Sequence, residues 1–540
     1  MATVHPHRTR PWLVMLFLAG DNSLNEDMVL ALQDIQAEGA PAGDRLVALL
    51  DPSGAGQVPH LYDFSLSKGK RLEACRVTDH RLLESNTGNP DMLAGFIRWA
   101  VGECKGRDMN YFLILSGHGS GATEDFLLKG ENPVDSLTIA ELKSALGEGV
   151  KFIREATDSA TRRLDMLGMD ACYMSMGEVA FEIRDSVDIL IGAEGLEPTF
   201  GWPYRRILAA AKRHRRAHGR PMSPAALGEA IVREYVDCYS DYDRTAGRSV
   251  DLAALDLTKI DSVRDAFEGL VKTFNRIDQR TGATHPDDEA RSHRIRFDPD
   301  ATSGPRILEE RKSGPAERRF NREFHEQLVL AHWYAQTYKS DQFVDLKDLC
   351  EQIKKHVKGP SVARACDDVI RALKACVICA GCSGFACQHS HGLSIYFPWG
   401  RVSPDYRAPA FAQQTGWLEF LRAHVHATRR ESRYRRTASG GAAFGDLRKA
   451  VGARSATESF KSAANRVLDA VNAGDIPLED AWDEISRRAL TSGRHTDRTK
   501  HSDRTKHSDR TKHTDHTKGR DERDVWVKNL PPVIGTAFWK

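Results

Sequence analysis

The sequence predicts an α/β fold, a mostly parallel sheet flanked by helices, with a helical and disordered C-terminal extension. Three observations carry this expectation. Short apolar runs alternate with helical patterns through the first half, the βαβ rhythm of a sheet covered by helices. The runs are apolar throughout rather than alternating, which suits strands buried on both faces. The last hundred or so residues, by contrast, include long stretches without apolar anchors, which cannot support a core.

The first strand is expected at Trp12 to Leu18, inside WLVMLFLAG. His5, His7, Arg8 and Arg10 precede it and give it the look of a secretory signal. A buried strand is the better reading, because AGDNSLNE runs directly into a helical pattern with Asp21 or Asn22 as N-cap. Cleavage after Ala19 would delete a core strand. Further strands are expected at Leu46 to Leu50, Tyr111 to Leu115, Asp165 to Met169 and Ile189 to Gly192. Helices are expected between them at Asn25 to Glu38, Met92 to Cys104, Ile139 to Leu146 and Ser175 to Asp185. No run reaches the length of a membrane span.

Residues 276–320 break the rhythm, being rich in Arg, Asp, Gly and Pro, and read as an exposed insertion. The core therefore divides into 1–275 and 321–426. The second part opens with the helical FNREFHEQLVLAHWYAQTY. QFVDLKDLCEQIKKHV follows as another helix after a short extended lead. HGLSIYFPWG then reads as one more core strand, stopped by Pro398. Residues 427–494 read as a linker and a small helical unit. Residues 495–518 repeat a six-residue motif (HTDRTK, HSDRTK, HSDRTK, HTDHTK) and read as disordered. The apolar and aromatic 519–540 has the composition to dock on the body or on a partner.

Composition sets outer limits. The chain has 540 residues, room for more than one domain, and a formal charge of only +2. That balance argues against a specific nucleic-acid partner or a membrane surface. Ten irregularly spaced cysteines are not a disulfide scaffold and favour a reducing cytoplasm.

Chemistry concentrates at two expected strand ends. NYFLILSGHGSG ends in His118 within a glycine-rich turn, and LDMLGMDACYMSMGE places Cys172 just past a strand. Open α/β sheets bind ligands at the carboxyl ends of their strands, and a His beside a Cys is what a thiol nucleophile requires. The backbone N–H groups of Gly119 and Cys172 are candidate oxyanion donors. Taken singly, a buried thiol or a satisfied imidazole would be the ordinary role of each. Together, at similar strand ends, they favour catalysis. No third member of a triad is evident.

With these residues in place, the chain resembles the clostripain-like cysteine peptidases, clan mates of the caspases. The resemblance is carried by AGDNSLNE, SGHGSG, GMDACYMSMGEVA, AEGLEPTFGWPY, FVDLKDL and HGLSIYFP, and spans most of residues 11 to about 425. It implies a caspase-like arrangement of the α/β fold with His118 and Cys172 as the dyad. It further implies an acidic S1 residue two positions before the cysteine, Asp170, and cleavage after Arg, sometimes Lys. A carboxylate in a partly dry pocket would suit a guanidinium. Turn capping is the competing role for Asp170. Glu194 and Glu197 are further acidic candidates for the substrate cleft. The expected activity is thus an endopeptidase acting on proteins with exposed Arg through an acyl-thioester. No cofactor is required by this chemistry; the resemblance leaves room for calcium.

Two other features bear on regulation and metals. Arg280, Arg291, Arg294, Arg296, Arg306, Arg311, Arg318 and Arg319 are candidate processing sites in the insertion, cut by the protein itself or by an upstream activating protease. Lys129, Arg154, Arg162 and Arg163, between His118 and Cys172, form the competing location. Cys376, Cys379, Cys382 and Cys387, with His389 and His391, have zinc-like spacing. Val377 to Cys379 nevertheless fits a buried strand that would point Cys376 and Cys379 to different faces, which favours free thiols. The rival from another class is a catalytically silent, protease-like adaptor that binds a partner or polyanion through its C-terminal tail.

Overall fold

A computed structural model describes residues 10–435, except 55, 66–71, 78–85, 123–125, 241–248, 281–320 and 340–341, and also 537–539. Its centre is a ten-stranded sheet. In chain order the first half runs β1 (Trp12–Gly20), α1 (Asn25–Glu38), β2 (Arg45–Pro52), β3 (His60–Asp63), β4 (Arg76–Val77), α2 (Pro90–Gly102) and β5 (Asn110–Ser116). The hairpin β6 (Leu127–Glu131) and β7 (Val134–Leu137) follows, then α3 (Ile139–Thr157), β8 (Leu164–Asp170), α4 (Gly177–Ile183) and β9 (Val187–Gly192). Next come α5 (Tyr204–His218), α6 (Pro224–Tyr239), β10 (Val250–Asp256) and α7 (Ile260–Arg280). After the insertion the chain forms α8 (Arg322–Tyr334), β11 (Thr337–Tyr338), β12 (Phe343–Asp345), α9 (Leu346–His356), α10 (Pro360–Cys376) and β13 (Val377–Ser383). The last elements are β14 (Ser394–Tyr396), α11 (Ala410–Gln414), α12 (Trp417–Arg435) and β15 (Ala537–Trp539).

The sheet order is β15-β13-β10-β9-β8-β5-β1-β2-β3-β4. The five expected strands are its middle, and β9, β8, β5, β1 and β2 pair parallel. All five therefore end on one edge. WLVMLFLAG is hydrogen-bonded on both sides, to β2 and β5, as a core strand must be. The sheet separates two apolar layers. On one side Phe96, Leu142 and Phe181 from α2, α3 and α4 pack with Phe267 and Phe411. On the other, Leu32 of α1, Ile207 of α5 and Ile231 of α6 cover Leu16, Ile114 and Met166. Gly168 is required at the centre of β8, because a Cβ there would lie 2.7 Å from the Trp202 ring.

Several local expectations need correction. The residue before α1 is Leu24 and makes no side-chain cap. Asp21 and Asn22 are instead buried and tie β1 to other loops. HGLSIYFP contributes β14, which pairs with β12 in a separate three-stranded sheet and is not a strand of the central one. The central strand nearby is Val377–Ser383, antiparallel to β10. α7 extends to Arg280 and α12 starts at Trp417, so the expected boundaries at 275 and 426 fall inside helices. The last described segment, Ala537–Trp539, pairs with β13. The repeat at 495–518 lies outside the described residues, as do 281–320. Among the described residues no helix is long and apolar enough to cross a membrane.

Candidate active site

Three strand ends meet at the carboxyl edge of the sheet. β5 and β8 are in register through Ser116 and Asp170, and β1 aligns Leu18 with Ser116. The turn after β5 is fixed from both sides. Gly117 N–H donates to the Asp170 carbonyl at 3.2 Å, and Leu128 N–H donates to the His118 carbonyl at 2.9 Å. Ser120 N–H bonds the Phe126 carbonyl at 3.0 Å. Gly119, bridged to Leu127 between these two bonds, occupies a non-hydrogen-bonded position. Its own N–H therefore points away from β6.

Gly119 brings the two expected catalytic loops together. A Cβ on it would lie 2.5 Å from the Cys172 carbonyl oxygen, 2.9 Å from Met174 Cε and 3.1 Å from Ala171 Cβ. Only glycine permits this approach. Cys172 is half-buried, and Tyr173 after it adopts φ +62°, a conformation that costs a non-glycine residue about 1 kcal/mol or more. Tyr173 N–H bonds the Gly195 carbonyl at 2.9 Å, and Ser175 N–H bonds that of Ala193 at 2.9 Å. The turn is thus held by the segment after β9.

The side chains of the two candidate residues have separate partners. His118 is exposed, and its Nε2 lies 3.1 Å from Ser23 Oγ. Burial of part of its ring, with Lys129 nearby, lowers its pKa below 6.5, against an opposing pull from Glu131. Cys172 Sγ accepts a hydrogen bond from Glu197 N–H at 3.3 Å and faces the Glu197 carbonyl at 3.8 Å. Burial raises the thiol pKa, with the Asp170 carboxylate adding to the rise and the Glu197 N–H opposing it. Burial thus favours the protonated Cys172 thiol over the thiolate.

Asp170 sits beneath this turn, buried, with Oδ2 accepting from Tyr204 OH at 2.7 Å and Ser116 Oγ at 3.1 Å. A Cβ on Gly201, at φ +62°, would lie 2.8 Å from the same oxygen. Glu197 is its neighbour. Burial, then the charge of Asp170, pushes the Glu197 carboxyl well above its usual range. Glu197 Oε1 takes a hydrogen bond from Trp202 Nε1 at 3.4 Å, whereas its buried Oε2 finds no donor in the protein. The nearby Asp170 carboxylate thus favours the protonated form of Glu197.

Glu194 does not join them. It is fully buried, accepts from Gly392 N–H at 2.6 Å, and has its pKa raised by burial and by Asp345 and Asp251. It ties the β13–β14 connection to the core and offers no surface to a substrate, contrary to the cleft expectation. The cysteine cluster also separates. Cys376, Cys382 and Cys387 lie on one apolar layer and Cys379 on the other. None of the ten cysteines is in a disulfide.

The processing candidates divide by location. Arg280 is the last residue of α7, and Arg291, Arg294, Arg296, Arg306, Arg311, Arg318 and Arg319 lie outside the described residues. The competing basic residues lie in or between described elements. Lys129 is in β6. Arg154 Nε bonds the Arg162 carbonyl at 3.0 Å, and Arg163 bonds the Arg184 carbonyl at 3.1 Å. Ser23, Ser116, Tyr204 and Trp202 were not singled out from the sequence. Their only signal was membership of AGDNSLNE, LILSGHG and GWPY.

Comparison with known proteins assigns the family. The model of the clostripain family matches residues 16–422. Clostripain from Hathewaya histolytica is 23% identical over 307 residues, 50% of this chain and 57% of that protein, so the chain spans little more than half of this relative's length. A secreted C11 cysteine protease from Bacteroides thetaiotaomicron, solved with an irreversible peptide inhibitor, is 17% identical, with a TM-score of 0.48 over 76% of this chain and 99% of that one. An inactive zymogen C11 protease from Parabacteroides distasonis is also 17% identical, with a TM-score of 0.44 over 78% of this chain and 99% of that one. The match to most of the chain, with the His and Cys motifs inside it, makes this protein a member of the clostripain family of cysteine-type peptidases.

Proposed function

We propose that the protein is an endopeptidase that hydrolyses peptide bonds after Arg, less often Lys, with Cys172 as nucleophile and His118 as general acid and base. The observation that carries this reading is the contact of Gly119 with the Cys172 carbonyl, which sets the two strand-end loops side by side. Once the thiol loses its proton, the Cys172 sulfur attacks the scissile carbonyl carbon. The oxygen that takes up the charge is held by the Gly119 and Cys172 N–H groups. His118 protonates the leaving amine, which departs and leaves a thioester on Cys172. Water, giving a proton to His118, attacks the thioester. The acid is released and the thiol regains its proton.

In this reading Asp170 and Glu197 form the base of the P1 site. A guanidinium entering here would displace the Glu197 proton and form a charge-assisted pair with the carboxyls. Gly201 covers Asp170 at rest, so residues 196–201 must move before Arg enters. Leu196 and Phe200 on this segment are 60% and 64% exposed, so its movement exposes little new apolar surface. No step uses a cofactor. Among the described residues no group of three or more His, Cys, Asp or Glu could hold a metal ion. We further propose activation by cleavage after an Arg in 280–319. This location is favoured because 276–320 is rich in Arg, Gly and Pro and poor in large apolar residues, whereas Arg154 and Arg163 are hydrogen-bonded into the described fold. The cytoplasm is the proposed setting, because none of the ten cysteines forms a disulfide.

The test is hydrolysis of a fluorogenic Arg-amide by wild type and by Cys172→Ala. Activity in the wild type that vanishes in the variant supports the assignment. Equal activity in both overturns it, and a wild type that stays inactive after nicking favours the adaptor reading.

A further inference from the structure

A side chain within hydrogen-bonding distance of the His118 imidazole lies outside the SGHGSG and GMDACYMSMGEVA motifs. Ser23 lies in the turn between β1 and α1, with Oγ 3.1 Å from His118 Nε2. Both side chains are exposed, yet the backbones that carry them are rigidly held. The Asn22 side chain donates to the Ala19 carbonyl at 2.8 Å and the Lys129 carbonyl at 2.9 Å, and it accepts from Leu24 N–H at 2.9 Å. Buried Asp21 accepts from Gly54 N–H at 3.2 Å, Glu131 N–H at 3.2 Å and the Asn132 side chain at 3.1 Å. His118 is fastened to the same β6 strand through Leu128 N–H. Consecutive residues of β6, Leu128 and Lys129, thus hold His118 and the Ser23 turn. Their spacing is a property of the scaffold.

An imidazole in a dyad changes charge at one nitrogen, and the other must stay protonated throughout. A hydroxyl that accepts from that second N–H serves the neutral and the cationic ring alike. We propose that Ser23 is a positioning residue that holds His118 as the Nε2–H tautomer and leaves Nδ1 as the reacting nitrogen; this rests on the dyad assigned above. In acylation Nδ1 accepts the Cys172 thiol proton and gives it to the leaving amine. In deacylation Nδ1 takes a proton from the attacking water and returns it to the departing sulfur. Nε2 keeps its proton on Ser23 in every state. The site then works as Ser–His–Cys, with an uncharged hydroxyl in the orienting place.

Ser23→Ala, Ser23→Thr and wild type would be compared with an Arg-amide substrate across the pH range. The expected result for Ser23→Ala is a fall in kcat on the order of 10-fold, part of what a general acid–base contributes. KM should stay within about two-fold, and the His118 limb of the kcat/KM profile should move to lower pH, because the cation has lost an acceptor. Ser23→Thr, which keeps the hydroxyl, should restore both. 15N spectra of histidine-labelled Cys172→Ala protein should report a protonated Nε2 on neutral His118. Ser23→Ala kinetics equal to wild type at every pH, or a protonated Nδ1 in those spectra, would overturn the proposal. Loss of the dyad itself would show separately, as full activity in Cys172→Ala.

Discussion

Gly119→Ala adds one methyl group to a solvent-accessible turn and should remove most of the activity. The added Cβ would sit 2.5 Å from the Cys172 carbonyl oxygen. Carbon and oxygen approach no closer than about 3.3 Å in ordinary contacts, so one loop must retreat by roughly 0.8 Å. The obstacle is backbone, and no rotamer can relieve it. The Cys172 carbonyl also cannot yield alone, because Tyr173 N–H is bound to Gly195 and Ser175 N–H to Ala193. Displacements near 1 Å between reacting groups cost on the order of 100-fold in rate. Overpacking of this kind typically destabilises by about 1–3 kcal/mol. The assay is kcat/KM with an Arg-amide, alongside a melting curve. Gly102→Ala at the end of α2 is the control, since nothing lies within 4 Å of its Cβ position, and it should match wild type. A Gly119→Ala enzyme within about three-fold of wild type would refute the argument that this contact sets the dyad.

Three further outcomes follow from the same structure. Asp170→Asn keeps a side chain of the same shape for Tyr204 and Ser116 but removes the charge, so kcat/KM for Arg substrates should fall about 30-fold or more, the equivalent of roughly 2 kcal/mol. An equal fall with a neutral P1 substrate would make Asp170 purely structural. Buried His424 bonds His325 Nδ1 at 2.9 Å, and His325 in turn contacts Asp278 at 3.2 Å. Burial, then the neighbouring His325 and His332, holds His424 well below its usual pKa, so the unfolded chain binds the proton more readily. Stability should therefore decline as pH falls below about 6.5, by at most about 1.4 kcal/mol per pH unit from this group. His424→Gln should lose less melting temperature than wild type between pH 7.5 and 5, and an identical loss would contradict this. Mass spectrometry of the active protein should find new C-termini at Arg residues within 280–319, with both fragments co-purifying because β13 of the second fragment pairs with β10 of the first in the central sheet. Fragments ending only within 129–163, or full activity in an uncut chain, would move the processing site.

Much of this site was legible because strand ends leave a strong local signature. An apolar run such as YFLIL or LDMLGM that stops at Gly or Asp has to emerge from the sheet there, and His118 and Cys172 follow at once. α1 was readable to its last residue, since an amphipathic pattern before Gly39 has little freedom. HGLSIYFP was misplaced because a short apolar strand carries no mark of the sheet it joins. Its partner, Phe343–Asp345, is 49 residues earlier at the Asp345–Ser394 pair and lies across two helices. Ser23 was invisible for a related reason: a polar residue in a turn looks solvated until the fold sets β1 beside β5. The pairing of Asp170 with Glu197 likewise depends on how the segment after β9 folds back beneath Cys172, and spacing does not encode that.

The central claim is that one sulfur, Cys172, carries the acyl group of an Arg-ending peptide. An irreversible peptide inhibitor with Arg at P1, incubated with the nicked protein and followed by peptide mapping, tests it most directly. One equivalent bound to Cys172, with activity lost in step, is the predicted result. Label on any of the other nine cysteines instead, or continued Arg-amide hydrolysis by fully labelled protein, would contradict the account.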